Sequence, residues 1–165
     1  MDTSPAPLID TELAAFMQRG ISLNVGSCGL DLLPSVARAT GCRVSADRLT
    51  VRMLVSRHQA AAVIAHVETG AALAAVFSEP STHRTVQFKA HHARVESAGA
   101  EDIAAVARYR DGFVEELRPL GYAPELIRSF LACPDADIVA LRFTPCAAFS
   151  QTPGADAGHA LQAGA

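Results

Sequence analysis

The chain is 165 residues long, half of them hydrophobic and 19% charged, with a formal net charge of −3. That is enough apolar material for one packed, soluble domain spanning 1–165. The arginines are scattered rather than gathered in a run, which argues against nucleic acid as a partner.

The opening MDTSPAPLID carries an acid and two prolines where a secretory signal needs basic residues and an apolar core, so a cytoplasmic location is expected. The most apolar region, 60–77, is interrupted by His66, Glu68, Thr69 and Gly70, so no membrane span is expected. Cys28, Cys42, Cys133 and Cys146 show neither CxxC pairing nor adjacent histidine spacing. They read as small buried hydrophobes rather than a metal site.

In chain order, Asp10 can cap a helix with Glu12 in its first turn, Leu13, Phe16 and Met17 on one face, and Gly20 at its end. Residues 21–28 read as a strand and 29–33 as a turn. Residues 34–43 form a second strand with Val36, Arg38, Thr40 and Cys42 on one parity. Arg38 is unexpected there; it reads either as a solvated strand position or as a ligand contact. A turn over 45–48 leads to a third strand, 49–55, completing a meander. At Ser56 the period changes, with Ala60, Val63, Ile64 and Val67 on one face of a helix that Ser56 caps and Gly70 terminates. A serine cap followed by Arg57, where free N–H groups leave a helix end, has the form of a phosphate receptor. Most serine caps bind only their own helix.

The stretch Gly70–Ala93 is the most informative. An apolar run, 71–77, reads as a buried strand entering a Ser-Glu-Pro-Ser turn. Beyond the turn, Thr85, Gln87 and Lys89 alternate with Val86, Phe88 and Ala90, which gives a strand with one apolar face and one face free to bind. Residues 101–117 then form an amphipathic helix bent near Gly112 and ended by Pro119. A short helix starts at Pro124, and 138–149 forms the last strand. The Ala/Gly-rich end from Pro153 is expected to be mobile. Glu115 and Glu116 read as solvation of a helix face, and His66 and His83 as structural or surface residues.

Six strands with local connections and a helix between the third and fourth remove their edges best by closing into a barrel. The expected class is mainly β with α (α+β): a six-stranded antiparallel split β-barrel with flanking helices. There is no GxGxxG after the first strand and no GxSxG elbow, which disfavours a dinucleotide-binding sheet and serine hydrolysis.

The order of elements, together with Glu79-Pro80-Ser81-Thr82-His83-Arg84-Thr85-Val86-Gln87-Phe88-Lys89, resembles the FMN-binding split-barrel proteins related to pyridoxamine 5′-phosphate oxidase. That segment is similar to the family's EP…R-x-V-x-V motif. Arg38 matches a strand carrying a basic flavin contact, and Ser56-Arg57 the family's Ser-Arg phosphate contact. The resemblance implies FMN as cofactor, with Ser56 and Arg57 on its phosphate and Arg38 adding charge. It also implies Thr85 and Gln87 reaching flavin from the opposite subunit of a homodimer, and Arg84 or Lys89 near the flavin N1 and C2 carbonyl. A flavin-dependent oxidoreductase follows, using a small-molecule substrate or NAD(P)H.

This chain departs from the family at His58, where a lysine is usual, and at Ala90, where a glycine is usual. It also lacks the C-terminal arginine and histidine pattern for pyridoxal, which disfavours pyridoxamine phosphate oxidation itself. Two alternatives stand beside the enzyme: a haem-binding relative using one of His91 and His92, which face opposite ways if they lie on a strand, and a non-catalytic flavin-binding sensor.

Overall fold

The strands Ser22–Cys28, Leu73–Ser78 and Thr85–Ala90 bury every second residue, and the core assembles on that face. The computed structural model describes residues 7–162. The first six residues, on which part of the N-terminal reading rests, and 163–165 at the end of the tail lie outside that range. Helix α1 (Thr11–Met17) starts where Asp10 Oδ1 accepts from the Leu13 N–H at 2.7 Å, and it buries Leu13, Phe16 and Met17 as expected. Nine strands follow in two antiparallel sheets: β1 (Ser22–Cys28), β2 (Pro34–Arg38), β3 (Cys42–Val44), β4 (Val51–Ser56), β5 (Leu73–Ser78), β6 (Thr85–Ala90), β7 (Ala93–Ser97), β8 (Ile138–Phe143) and β9 (Ala147–Ser150). Three further helices complete the fold, α2 (Ala61–Glu68), α3 (Ala100–Leu117) and α4 (Pro124–Phe130).

One sheet runs β2-β1-β5-β6-β9 and the other β3-β4-β8-β7, and no strand belongs to both. The structure is thus α+β and split as expected, but the six-stranded closed barrel is replaced by two sheets with more strands. The difference has three causes. The expected strand 34–43 breaks at Ala39–Gly41, because the Ala39 N–H bonds Leu23 O and the Thr40 N–H bonds Leu54 O, carrying the chain from one sheet to the other. The last strand, 138–149, breaks at Thr144–Cys146 in the same way. Strand β7 was not anticipated, since two of the five residues in its sequence, ARVES, are charged.

The central hairpin is as expected. Strands β5 and β6 pair with Phe77 opposite Val86 and Ala75 opposite Phe88, and the side chains of Phe77 and Phe88 meet edge to face at 5.7 Å. Such a pair contributes about 1 kcal/mol beyond its burial. The core packs around these rings with Ile9, Met17, Leu23, Val25, Met53 and Leu141, all essentially inaccessible.

Helix α3 crosses the α1–β1 turn at close range. A Cβ on Gly20 would fall 2.0 Å from the Gly112 carbonyl carbon. Gly112 therefore serves a close backbone contact with Gly20.

Two local expectations are corrected. Ser56 ends β4 and caps the intervening turn 57–60, its Oγ accepting from the Gln59 N–H at 3.1 Å, rather than capping α2 itself, whose N-cap is Ala60 without a side-chain bond. The tail from Pro153 does not trail away either: His159 O accepts from Ser150 N–H, and the Leu161 N–H donates to Ala148 O, so the chain returns along β9.

Candidate functional site

Sheet-to-sheet crossings concentrate functional groups at one seam. Strand β6 passes to β7 through His91-His92, and β8 passes to β9 through Thr144-Pro145-Cys146. The Cys146 N–H donates to Lys89 O at 2.8 Å, which ties the two crossings together. Two cavities flank this tie. One, of about 440 Å³, is lined by His91, His92, Arg94, Arg142 and Cys146 among others. Its neighbour, of about 570 Å³, is floored by Val36, Leu73, Ala74, Ala90 and Ala147 and edged by Lys89. They share His91 and Cys146, so they form one cleft with an apolar slot and a cationic end. Both histidines are exposed and line the same cavity, because residues 91–92 lie outside the strand that was expected to send them opposite ways.

Lys89 is exposed on the free face of β6, its ammonium 5.0 Å from the centre of the Phe149 ring. Arg142, on β8, stands 3.9 Å from Glu96, too far for a tight ion pair. The apolar border continues past Val36 into the β1–β2 loop, where Leu30 is 97% exposed, Leu32 80% and Leu33 66%. Four large aliphatic side chains turned outward beside a cleft form a patch of the kind that marks an interface.

The turn after β4 is built differently from the sequence expectation. Ser56 Oγ donates to the Asp137 carboxylate, and the same carboxylate accepts from the His58 N–H at 3.3 Å. The Arg57 N–H donates to Asp137 O. An acid from the end of the α4–β8 connection thus sits where an incoming phosphate was expected. Arg57 itself is exposed, and no carboxylate pairs with it among the described residues.

The remaining sequence candidates are spread over the chain. Arg38 lines a separate cavity beneath α3 and α4. Arg84 ion-pairs with Glu12 at 2.9 Å, lies over the Phe16 ring at 4.5 Å, and lines a third cavity of about 270 Å³. Thr85 exchanges a 2.7 Å hydrogen bond with Ser78, and Gln87 meets only Gln151, at 3.5 Å. A single chain brings Lys89 to the cleft; it does not gather all seven residues at one place.

The Glu79-Pro80 segment has a structural role. Glu79 is buried, bonds Thr82 Oγ1 and pairs with Arg19 at 2.6 Å. The Thr82 bond and the Arg19 charge hold its carboxyl below the ordinary range. Its backbone closes the turn, accepting from the His83 N–H and donating to Arg84 O. Glu116, expected to be solvated, accepts from the Ser81 N–H at 3.0 Å and fixes this turn against α3.

Two features went unnoticed in the sequence. Asp102 is 2% exposed and receives Arg43, Arg52 and the Gly99 N–H; the acidic pair Glu101-Asp102 at a helix start was the available signal. The cysteines are not uniformly buried: Cys42 is, while Cys28 and Cys146 are exposed.

No helix among the described residues is long and apolar enough to cross a membrane. No family model matches the chain, and no curated protein matches it in sequence. Solved structures match it in fold. An F420 reductase superposes with a TM-score of 0.54 and 17% identity, over 81% of this chain and 93% of that one. HupZ of Group A Streptococcus gives 0.55 and 13%, over 91% and 99%. A pyridoxamine 5′-phosphate oxidase-related, FMN-binding protein of Nostoc punctiforme gives 0.51 and 14%, over 93% and 88%. The chain has the split-barrel fold of these proteins.

Proposed function

We propose that this split-barrel chain binds FMN in the seam cleft, and that a second copy of the chain completes the site. The observation that carries the reading is the cleft itself, an apolar slot joined to a cationic end. A flavin mononucleotide needs both: a flat apolar berth for the ring system and fixed cations for the phosphate. The fold is shared with a protein named as FMN-binding and with one named as an F420 reductase, which supports a flavin-type ligand.

The residues present fit the group. Val36, Leu73, Ala74 and Ala147 offer the berth, Lys89 sits at its edge, and Arg94 and Arg142 stand at the far end. Arg57 is a second candidate for the phosphate, since it is exposed and carries no paired acid. The Ser56 hydroxyl is already engaged by Asp137, and a phosphate there would meet a carboxylate. When bound, FMN supplies hydride or electron transfer. The protein's part is to hold the ring out of water, to place Lys89 where positive charge favours an anionic ring, and to leave one ring face open for a small-molecule substrate or NAD(P)H. Leu30, Leu32, Leu33 and Val36 extend the cleft border as an uncovered patch, and a second copy seated there would bring Thr85 and Gln87 of one protomer toward the other's ligand.

One observation favours a second reading. His91 and His92 line one cavity, so a haem could find an axial ligand there. Releasing and identifying the chromophore of the purified protein separates the two. The FMN reading expects free FMN, with retention reduced in Lys89→Ala and Arg142→Ala. A Soret band supports haem instead. Flavin lost only in Arg57→Ala moves the phosphate to the β4–α2 turn and overturns the cleft placement.

A further inference from the structure

A cavity of about 590 Å³ opens between the end of β2, the turn before β6, and helices α3 and α4. It lies apart from the seam cleft and shares no lining residue with it. At its base the Arg38 guanidinium stands 5.0 Å from the centre of the Phe130 ring and 5.8 Å from that of Phe113. Among the described residues its side chain makes a long 3.4 Å contact to Ser22 Oγ and lies beside the Tyr109 hydroxyl. No acid pairs with it among the described residues, unlike Arg43 and Arg52, which each pair with two, and Arg84, which pairs with Glu12. Among the described residues no carboxylate lines the cavity, and its other ionisable walls are His83 and the phenol of Tyr122.

The walls are as unusual as the base. Helix α4 buries only Ile127 and leaves Leu126 61% and Phe130 60% exposed, with Tyr122 51% exposed just before it. Tyr109, whose hydroxyl donates to Ile21 O, lies close enough to Arg38 to feel its charge: burial raises its phenol, and Arg38 works against that rise. A cation that has lost part of its hydration to aromatic rings, without a counter-ion, is complementary to an anion. The apolar walls require that the anion bring a flat hydrophobic body with it.

We infer that this cavity binds a small aromatic carboxylate, its carboxylate on Arg38 and its ring against Phe113, Phe130 and Leu126. The site stands whether or not the seam cleft holds FMN, since the two share no residue.

The test is titration of the purified full chain with 2-naphthoate, followed by calorimetry and by amide NMR shifts. Binding is expected, with shifts centred on α4 and the end of β2. Arg38→Met is expected to weaken it about tenfold to a hundredfold, the range for losing a hydrogen-bonded charge partner. Phe130→Glu changes a residue that is 60% exposed and outside the core, and is expected to abolish binding by placing an acid beside Arg38. The amine analogue 2-naphthylmethylamine is expected not to bind. Equal affinity for amine and acid, or undiminished binding by both variants, overturns the inference. So does displacement of naphthoate by stoichiometric FMN, which would assign the cavity to the flavin.

Discussion

Replacing Asp102 with asparagine removes the charge on which two arginines converge. Arg43 reaches Asp102 at 2.9 Å and Arg52 at 2.8 Å, and each arginine holds a second acid, Glu101 and Glu96 respectively. The same carboxylate accepts from the Gly99 N–H and so starts α3. Burial alone would raise this acid, but the bonds from Arg52, Gly99 and Arg43 outweigh it and hold the carboxyl at about 2, against an ordinary value of 3.8. The difference corresponds to roughly 2 kcal/mol of folding free energy. For an acid whose folded value is depressed, this stabilisation is complete above the ordinary value and is lost as the pH falls through the folded one. Roughly half of it is gone by about pH 3. Urea unfolding of the wild type and Asp102→Asn at pH 7 is expected to differ by about 2–4 kcal/mol, the upper end reflecting guanidinium groups left without a partner. At about pH 3 the gap is expected to shrink by about 1 kcal/mol. A gap equally large at both pH values would mean that packing, not charge, holds α3 to β3 and β4. No gap at pH 7 would refute the reasoning outright.

Two other outcomes test the packing. Gly20→Ala drives a methyl group into the Gly112 backbone, and a loss of about 3 kcal/mol or failure to fold is expected from thermal denaturation. A melting temperature within experimental error of wild type would show that the α1–β1 turn and α3 can separate freely. Thiol labelling under native conditions should modify Cys28 and Cys146 rapidly and spare Cys42, which is buried and whose thiol is raised by burial. Rapid labelling of Cys42 without denaturant would mean that the core around Met53 opens locally.

What the sequence revealed was local. The β5–β6 hairpin was legible because alternation over Thr85–Ala90 is a property of six adjacent residues, and α1 because Asp10 and its burial face lie within one stretch. Helix α4 was legible from Pro124 at its first position. What stayed hidden depends on residues far apart. Asp137 reaches Ser56 across 81 positions, and neither residue announces the other. The division of 34–43 into β2 and β3 comes from bonds to Leu23 and Leu54, and β7 is a strand because β8 offers an edge to its charged sequence. The pairing of Arg38 with Phe113 and Phe130 belongs to the same class: a strand position that reads as solvated or as a ligand contact lies against helices formed much later in the chain.

The central claim, an FMN cleft completed by a second copy, is met most directly by one paired measurement. FMN is titrated into flavin-free protein while flavin fluorescence and the sedimenting mass are recorded together, for wild type and for Leu33→Glu, a change at a residue 66% exposed that leaves the core untouched. The account predicts a wild-type dimer that quenches FMN at one equivalent per chain, and a monomeric Leu33→Glu variant that binds it weakly or not at all. A wild type that does not bind FMN, or a monomeric variant that binds it as tightly as wild type, contradicts it.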